Sequence, residues 1–382
     1  MAKTRIVIVG AGIVGVCTAY YITEHSKYDP EKYEVILLEA VRPASAASGK
    51  AGGLLSKSAF PHQIVPLSFD LHTKLAEQYN GAEAWGFRYL SVVSIAGSNA
   101  NSPDPTNKPD IPKDLDWIYR EKMSVCETLG GPQTYAQVQP YLFVHFLLRK
   151  VLERGAKLIT GKVEQVNGQD NVATAVSYRP EGSSKSDPLV RLDADKIVIC
   201  NGPWASRLVP DMPLLALKAH SITLKPTRKV SAFAMFTDFR ISRSQYVSPE
   251  IYARKDEIFV AGEGGLEELP ETANLVVPTP DQCEQLFEHA AQISEEIRGG
   301  KIQRKQACFL PVVDSSSCTG PFIGNTDVEN LVLAVGHSCW GINNAPGTGY
   351  LVAELLLDGQ VTSAKLKGLM PKDYFSAKST LS

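Results

Sequence analysis

The sequence predicts an α/β protein, a doubly wound sheet of parallel strands with a second, antiparallel sheet interleaved between its segments. Three observations predict it. Apolar runs dominated by branched side chains, at residues 5–9, 33–39, 196–200 and 331–335, have the length and continuity of strands buried on both faces. Gly10, Gly12 and Gly15 follow the first run at the spacing of a dinucleotide-binding turn. Short runs separated by turn residues fill the middle of the chain, at 221–224, 232–236, 245–247 and 257–261, which suits antiparallel pairing.

Taken in order, the first strand ends in a turn whose first glycine permits the tight bend and whose second lets backbone approach a pyrophosphate. The third lets helix pack on strand. Residues 16–24 supply the helix, its N-terminal N–H groups facing the anion, with Ile13 and Val14 among the cofactor contacts. The second strand ends in Glu39, an acid placed to hydrogen-bond ribose hydroxyls and to repel a 2′-phosphate. A run of small residues at 42–53 holds Ser48, Gly49, Gly52 and Gly53; it builds no core, but its backbone can lie against a ligand. Leu67, Leu71 and Leu75 predict a helix over 65–79, with His62 and His72 as surface or capping residues. A strand is expected over 87–95. The Asn-, Ser-, Pro- and Asp-rich stretch 97–114 reads as an exposed excursion without a core of its own.

Further along, Tyr141, Val144, Leu148 and Val151 share one helix face, closed by Gly155. Strands follow at 158–166, 172–178 and 189–192. The run 196–200 leads into Asn201-Gly202-Pro203-Trp204 at the carboxyl edge of a sheet, where ligands of open α/β sheets bind. One helix is predicted over 280–297, stopped by Gly299-Gly300. The strand 331–335 then leads into a second glycine-rich turn, 336–349, and a closing helix over 350–357.

Composition narrows the class. At 382 residues the chain suits two joined domains, and 44% hydrophobic with 21% charged residues is ordinary globular composition. A net charge of -2 without a basic stripe gives no electrostatic basis for binding nucleic acid or an anionic membrane. No stretch reaches the ~20 apolar residues of a spanning helix. Residues 6–22 imitate a signal peptide but are interrupted by three glycines. Seven cysteines, an odd number without framework spacing, read as reduced thiols of a cytoplasmic protein. No Ser/His/Asp, paired-carboxylate or metal-ligand spacing stands out, so no metal is expected.

Together these motifs resemble a known family, the flavoproteins grouped with D-amino-acid oxidase, glycine oxidase and monomeric sarcosine oxidase. The resemblance spans the whole length. It rests on the glycine turn with Glu39, on Ser48-Gly49-Lys50-Ala51-Gly52-Gly53, and on Gly161-Lys162-Val163. It continues through Cys200-Asn201-Gly202-Pro203-Trp204 and Gly320-Pro321-Phe322-Ile323-Gly324, and is most specific over residues 336–349. Glycine oxidase is the best match in that last segment, and fungal FAD-dependent oxidoreductases of unassigned substrate are the nearest relatives expected.

The resemblance implies a Rossmann-type FAD-binding domain from residues 1–60, 135–212 and 300–382, with a substrate domain from 61–134 and 213–299. It implies FAD in an extended pose. ADP would lie on Gly10, Gly12, Gly15 and Glu39, the Val163 backbone near adenine, with Gly202 and Trp204 as further contacts. The flavin would lie between the Gly52-Gly53 loop and Gly341-Ile342-Asn343, where a helix N-terminus stabilises the negative charge of the reduced ring. The implied activity removes hydride from a C–H next to an amine, the flavin carrying the chemistry and the protein orienting it.

Two positions depart from the family pattern. The Arg-Pro of amino-acid oxidases, whose arginine clamps the substrate carboxylate bidentately, is here Leu310-Pro311. The lysine that sarcosine oxidase-like members carry in the last glycine turn, which helps the reduced flavin react with oxygen, is here Asn343. Simple α-amino acids and fast oxygen reduction are therefore not expected, and Arg254 and Arg88 stand as substitute cations. Tyr246, Tyr252 and Arg254 are the catalytic candidates. Cys308 occupies the position where the sarcosine oxidase branch attaches flavin covalently, and is expected to be a buried free thiol instead. The partner expected is a small-molecule amine. Two alternatives stay open: a NAD-dependent oxidoreductase, and a flavin-binding regulatory protein without turnover.

Overall fold

The four branched apolar runs pair side by side as parallel strands, because each is apolar on both faces and needs cover above and below. In the computed structural model, which describes residues 3–99 and 108–382, they form the centre of an eight-stranded sheet. Its order is Val190–Asp193, Val172–Pro180, Lys157–Gln169, Tyr33–Glu39, Thr4–Val9, Lys196–Ile199, Leu331–Val335 and Phe322–Asn325. Five strands from Lys157–Gln169 to Leu331–Val335 run parallel, and the outer ones close antiparallel. The helices Ile13–Glu24, Val65–Gln78, Pro140–Glu153 and Gly341–Leu357 cover one face, with Ile6, Ile8, Leu37, Phe143 and Leu351 in the core between. Val7, Val9, Ile197 and Leu333 point into a second core on the other face.

The middle of the chain builds the second sheet, in the order Lys301–Val313, Leu214–Lys225, Ile258–Leu266, Glu250–Ala253, Phe233–Arg240, Ser91–Ser98 and Met123–Gly130. It is mixed rather than purely antiparallel, since Phe233–Arg240 and Ser91–Ser98 run parallel. Its outer face is covered by Pro280–Ala291 and by Ile111, Leu115, Trp117 and Ile118. Ile111 is thus a core residue, contrary to the coreless excursion expected over 97–114; residues 100–107 of that stretch lie outside the described residues. A three-stranded ribbon, Leu54–Ser56, Tyr135–Gln137 and Arg88–Tyr89, pairs with neither sheet but packs on both, through Leu55 and Ala136 on one and Leu54 on the other.

Several bounds differ from expectation, each for a local reason. The first helix begins at Ile13, directly after Gly12, so the turn is shorter than the motif alone suggested. The helix expected over 280–297 is two, Pro280–Ala291 and Glu295–Arg298, because the Ser294 hydroxyl accepts the Ile297 N–H and starts a new one. The last helix begins at Gly341, not 350, and carries Pro346 inside it. Relative to the expected division of the chain, Lys301–Val313 pairs in the second sheet and Val65–Gln78 packs in the first core. Among the described residues, no helix is long and apolar enough to cross a membrane.

Candidate functional site

At the carboxyl ends of the central strands opens a cleft of about 1290 Å³, counting the part open to solvent. An ordinary small-ligand pocket is ~300–1,000 Å³. The glycine turn forms its floor. Gly10 has φ +102°, and a Cβ there would lie 2.8 Å from Asn201 Cα, so both the backbone and the neighbouring strand require glycine. A Cβ on Gly12 would stand 3.0 Å from Ser48 Oγ, and one on Gly15 would overlap the Gly10 carbonyl oxygen. The Ser48 hydroxyl accepts the Ile13 N–H at 2.9 Å, at the start of a helix with no acid in its first turn. Glu39 accepts N–H bonds from Ala11 at 2.9 Å and Val41 at 3.0 Å. Burial pushes the Glu39 carboxyl above its ordinary pKa, and those N–H bonds pull the other way. Asn201 Oδ1 lines the cleft, buried without a hydrogen-bond partner.

The end of the cleft near Val163 and Trp204 is closed by a segment with no signature in the sequence. Trp204 Nε1 donates to the Pro270 carbonyl at 2.8 Å, and Arg207 donates to the carbonyls of Leu269 at 2.6 Å and Glu271 at 3.1 Å. Lys162 meets the Glu271 carboxylate at 2.8 Å, and with Lys185 holds it down to about 2. Glu271, Thr272 and Ala273 therefore join the wall. The opposite end is lined by Leu310 and Pro311, by His337, Ser338 and Cys339, and by Gly341 and Ile342.

That second end is shaped by an opening in the last helix. Pro346 has no N–H to give the Ile342 carbonyl; His72 Nε2 lies 2.9 Å from that oxygen and, as the donor, supplies the bond instead. One residue on, the Ser68 hydroxyl stands between Gly347 and Asn343, accepting the Gly347 N–H at 2.9 Å and donating to the Asn343 carbonyl at 2.6 Å. His72 and Ser68 thus replace two helix bonds. His72 is a buried structural donor rather than the surface or capping residue expected, and burial pushes its pKa down to about 4. His337, buried with Nε2 at 2.9 Å from Thr348 Oγ1, is pushed down to about 3.

Of the expected cofactor residues, the structure brings Gly10, Gly12, Ile13, Val14, Glu39, Ser48, Val163, Gly202, Trp204, Gly341 and Ile342 around this one cleft. Gly15, Gly49, Gly52 and Gly53 shape it from behind: side chains on the last three would strike Ala44, the Tyr252 ring and the Val138 carbonyl. Asn343 is turned away. It is 1% exposed, its Oδ1 accepts the Ser56 N–H at 2.8 Å and its Nδ2 donates to Asn344. A buried staple of that kind is not a position from which a side chain reaches the cleft.

The catalytic candidates separate. Tyr246 is 61% exposed beneath the Arg240 guanidinium, at the far end of a hairpin. Arg254 is buried with every nitrogen partnered: it donates to the Gly52 carbonyl at 3.0 Å, to the Ala51 carbonyl, and to Glu257 at 2.6 Å. It lines a different groove and anchors the 44–53 loop to the second sheet. Arg88 donates to the Ala253 carbonyl, while its Nε is buried without a hydrogen-bond partner. Tyr252 lies against Gly52 with its hydroxyl donating to Glu250. Cys308 is buried, free and absent from the cleft wall; burial pushes its thiol up to about 11, with the nearby Lys50 opposing.

Comparison with known proteins agrees with this geometry. A family model described as FAD dependent oxidoreductase matches residues 5–355. The Saccharomyces cerevisiae protein named "Putative oxidoreductase TDA3" is 35% identical, the match covering 98% of this chain and 95% of that one. A Schizosaccharomyces pombe oxidoreductase named in the same way, C1F5.03c, is 33% identical over 97% of this chain and 99% of its own. Among solved structures, glycine oxidase from Bacillus cereus ATCC 14579 superposes with a TM-score of 0.74 at 16% identity, covering 98% of this chain and 100% of that one.

Proposed function

Because this chain belongs to the FAD-dependent oxidoreductase family, we propose that it oxidises a C–H bond next to the nitrogen of a small-molecule amine. One observation carries the reading: a single cleft runs from the Gly10 turn to the Leu310 and Gly341 end, where it meets the Gly52 loop held by the second sheet. FAD fits that cleft on this chain's own groups. The N–H groups at the start of Ile13–Glu24 suit its diphosphate, Glu39 its ribose, and the unpartnered Asn201 Oδ1 offers an acceptor. When bound, FAD supplies the acceptor for the hydride. Gly341 and Ile342 place a helix N-terminus in the wall of that end of the cleft, where it would favour negative charge on a bound group. Leu310 keeps that end apolar and excludes water, and Arg254 holds the loop backbone in place.

Glycine oxidase, a neighbour of the same fold, supports an amine. Non-covalent attachment is supported by Cys308 standing outside the cleft wall as a buried thiol. Seven free cysteines support a cytoplasmic location. Nothing in the comparisons supports the NAD-dependent alternative. The test is the absorbance spectrum of the purified protein, followed by anaerobic addition of amines. A yellow protein bleached by an amine is expected. A yellow protein bleached by none favours the regulatory alternative, and a colourless protein that takes up NAD overturns the reading.

A further inference from the structure

Arg254, which holds the Ala51 and Gly52 carbonyls, also lines a second groove of about 1660 Å³, counting the part open to solvent. That is larger than the ~300–1,000 Å³ of an ordinary small-ligand pocket. The second sheet contributes Lys225, Gln303 and Arg304 to its wall. The ladder between Leu214–Lys225 and Lys301–Val313 skips Gln303, since Thr223 pairs with Arg304 and Leu224 with Ile302. This bulge lets two consecutive side chains, Gln303 and Arg304, line the groove where a regular strand presents one. Tyr141 and Leu142, in the first turn of Pro140–Glu153, add an apolar part of the wall and are 47% and 45% exposed.

The charge of the wall runs against that of the chain. It holds six cations and three carboxylates, in a protein of net charge -2. Three of the cations are bound within the protein: Arg254 to the loop and Glu257, Arg228 to Asp116 and Glu296, and Lys255 to Glu83. Lys225, Lys229 and Arg304 are exposed and form no ion pair or side-chain hydrogen bond among the described residues. Unpaired like charges gathered in one groove raise a positive field that an incoming anion relieves. Glu83, Asp256 and Glu257 interrupt that field. Such interruptions suit acids spaced along a peptide and oppose the unbroken charge of a phosphate backbone. Exposed apolar side chains beside free cations match a segment of alternating acidic and apolar residues, because an extended chain turns the two kinds to opposite sides. We propose that this groove docks an extended acidic segment of a partner protein, its acids on Lys225, Lys229 and Arg304 and its apolar side chains on Tyr141 and Leu142.

The FAD-loaded, full-length protein is titrated with a fluorescein-labelled peptide of alternating glutamate and leucine, and with the same peptide carrying glutamine for glutamate. Fluorescence anisotropy should show the acidic peptide binding about tenfold or more tightly, with the difference shrinking as salt is raised. Lys229→Glu combined with Arg304→Glu should weaken the acidic peptide about tenfold while the flavin absorbance stays unchanged. Tyr141→Ala should weaken it without altering its salt dependence, since only apolar contact is lost. If the double reversal does not fold, Lys225→Gln with Lys229→Gln carries the test, and the acidic peptide should again lose affinity. Equal binding of the two peptides, or acidic-peptide binding unchanged in the charge variants, overturns the proposal. A single-stranded oligonucleotide of the same charge binding more tightly than the peptide overturns it in favour of nucleic acid. Inorganic triphosphate displacing the peptide at equal concentration overturns it in favour of a small anion.

Discussion

At Gly12 the cost of a single side chain can be read directly. A Cβ there already stands 3.0 Å from Ser48 Oγ, so Gly12→Val would fill the space of the diphosphate. The variant should fold, as judged by circular dichroism, yet purify colourless. The two buried histidines make a different prediction. His72 and His337 have folded pKa values of about 4 and about 3, below the 6.5 of the unfolded chain. The unfolded state therefore binds their protons first. Their contribution is complete above pH 6.5 and is lost as pH falls toward 4, about 3 kcal/mol each by then. Denaturant unfolding across that range should show the decline, and His72→Leu should flatten it while lowering stability at pH 7. The glycine turn and Glu39 were legible because motif spacing encodes a backbone requirement, and Ser48 because it lies in a run of small residues that builds no core. Arg254 was not: an arginine in a sequence looks the same whether it grips a substrate or two carbonyls of its own chain.

The last helix shows what a sequence pattern can miss at the scale of an element. The glycine-rich residues 336–349 read as a turn, yet Gly341–Leu357 is helical with Pro346 inside it. The helix continues because Val65–Gln78 lends it a histidine and a serine. Such rescue is tertiary and leaves no local trace. Ser68→Ala should strand the Gly347 N–H and the Asn343 carbonyl in a buried place, costing about 1–3 kcal/mol in denaturant unfolding. Asn343→Lys separates the structure from the family pattern. With Asn343 1% exposed, a lysine there would bury a charge. It should lower the melting temperature without speeding reoxidation of reduced flavin by oxygen, measured by stopped flow. The strand Lys301–Val313 escaped notice for another reason. As the outermost strand of its sheet it carries Lys301, Arg304, Lys305 and Pro311, which protect an edge and hide its strand periodicity.

Across the whole molecule, the doubly wound half was legible because strands buried on both faces must be apolar throughout. The second sheet was only partly so, because its pairing joins segments more than a hundred residues apart, as between Ser91–Ser98 and Phe233–Arg240. Long-range pairing also sets a temporal order. The strand that begins the chain lies between Tyr33–Glu39 and Lys196–Ile199, and the sheet is completed by Leu331–Val335, leading into the Gly341 turn that walls the cleft. The glycine turn is made well before the Gly341 wall, and it cannot grip a flavin until that later segment has joined the sheet. A fragment of residues 1–330 should retain no FAD on gel filtration, whereas adding the missing residues as a separate chain should restore some yellow colour. A grip on flavin is thus a property of the assembled sheet, since the glycine turn and the Gly341 wall meet only through Leu331–Val335 and its neighbours.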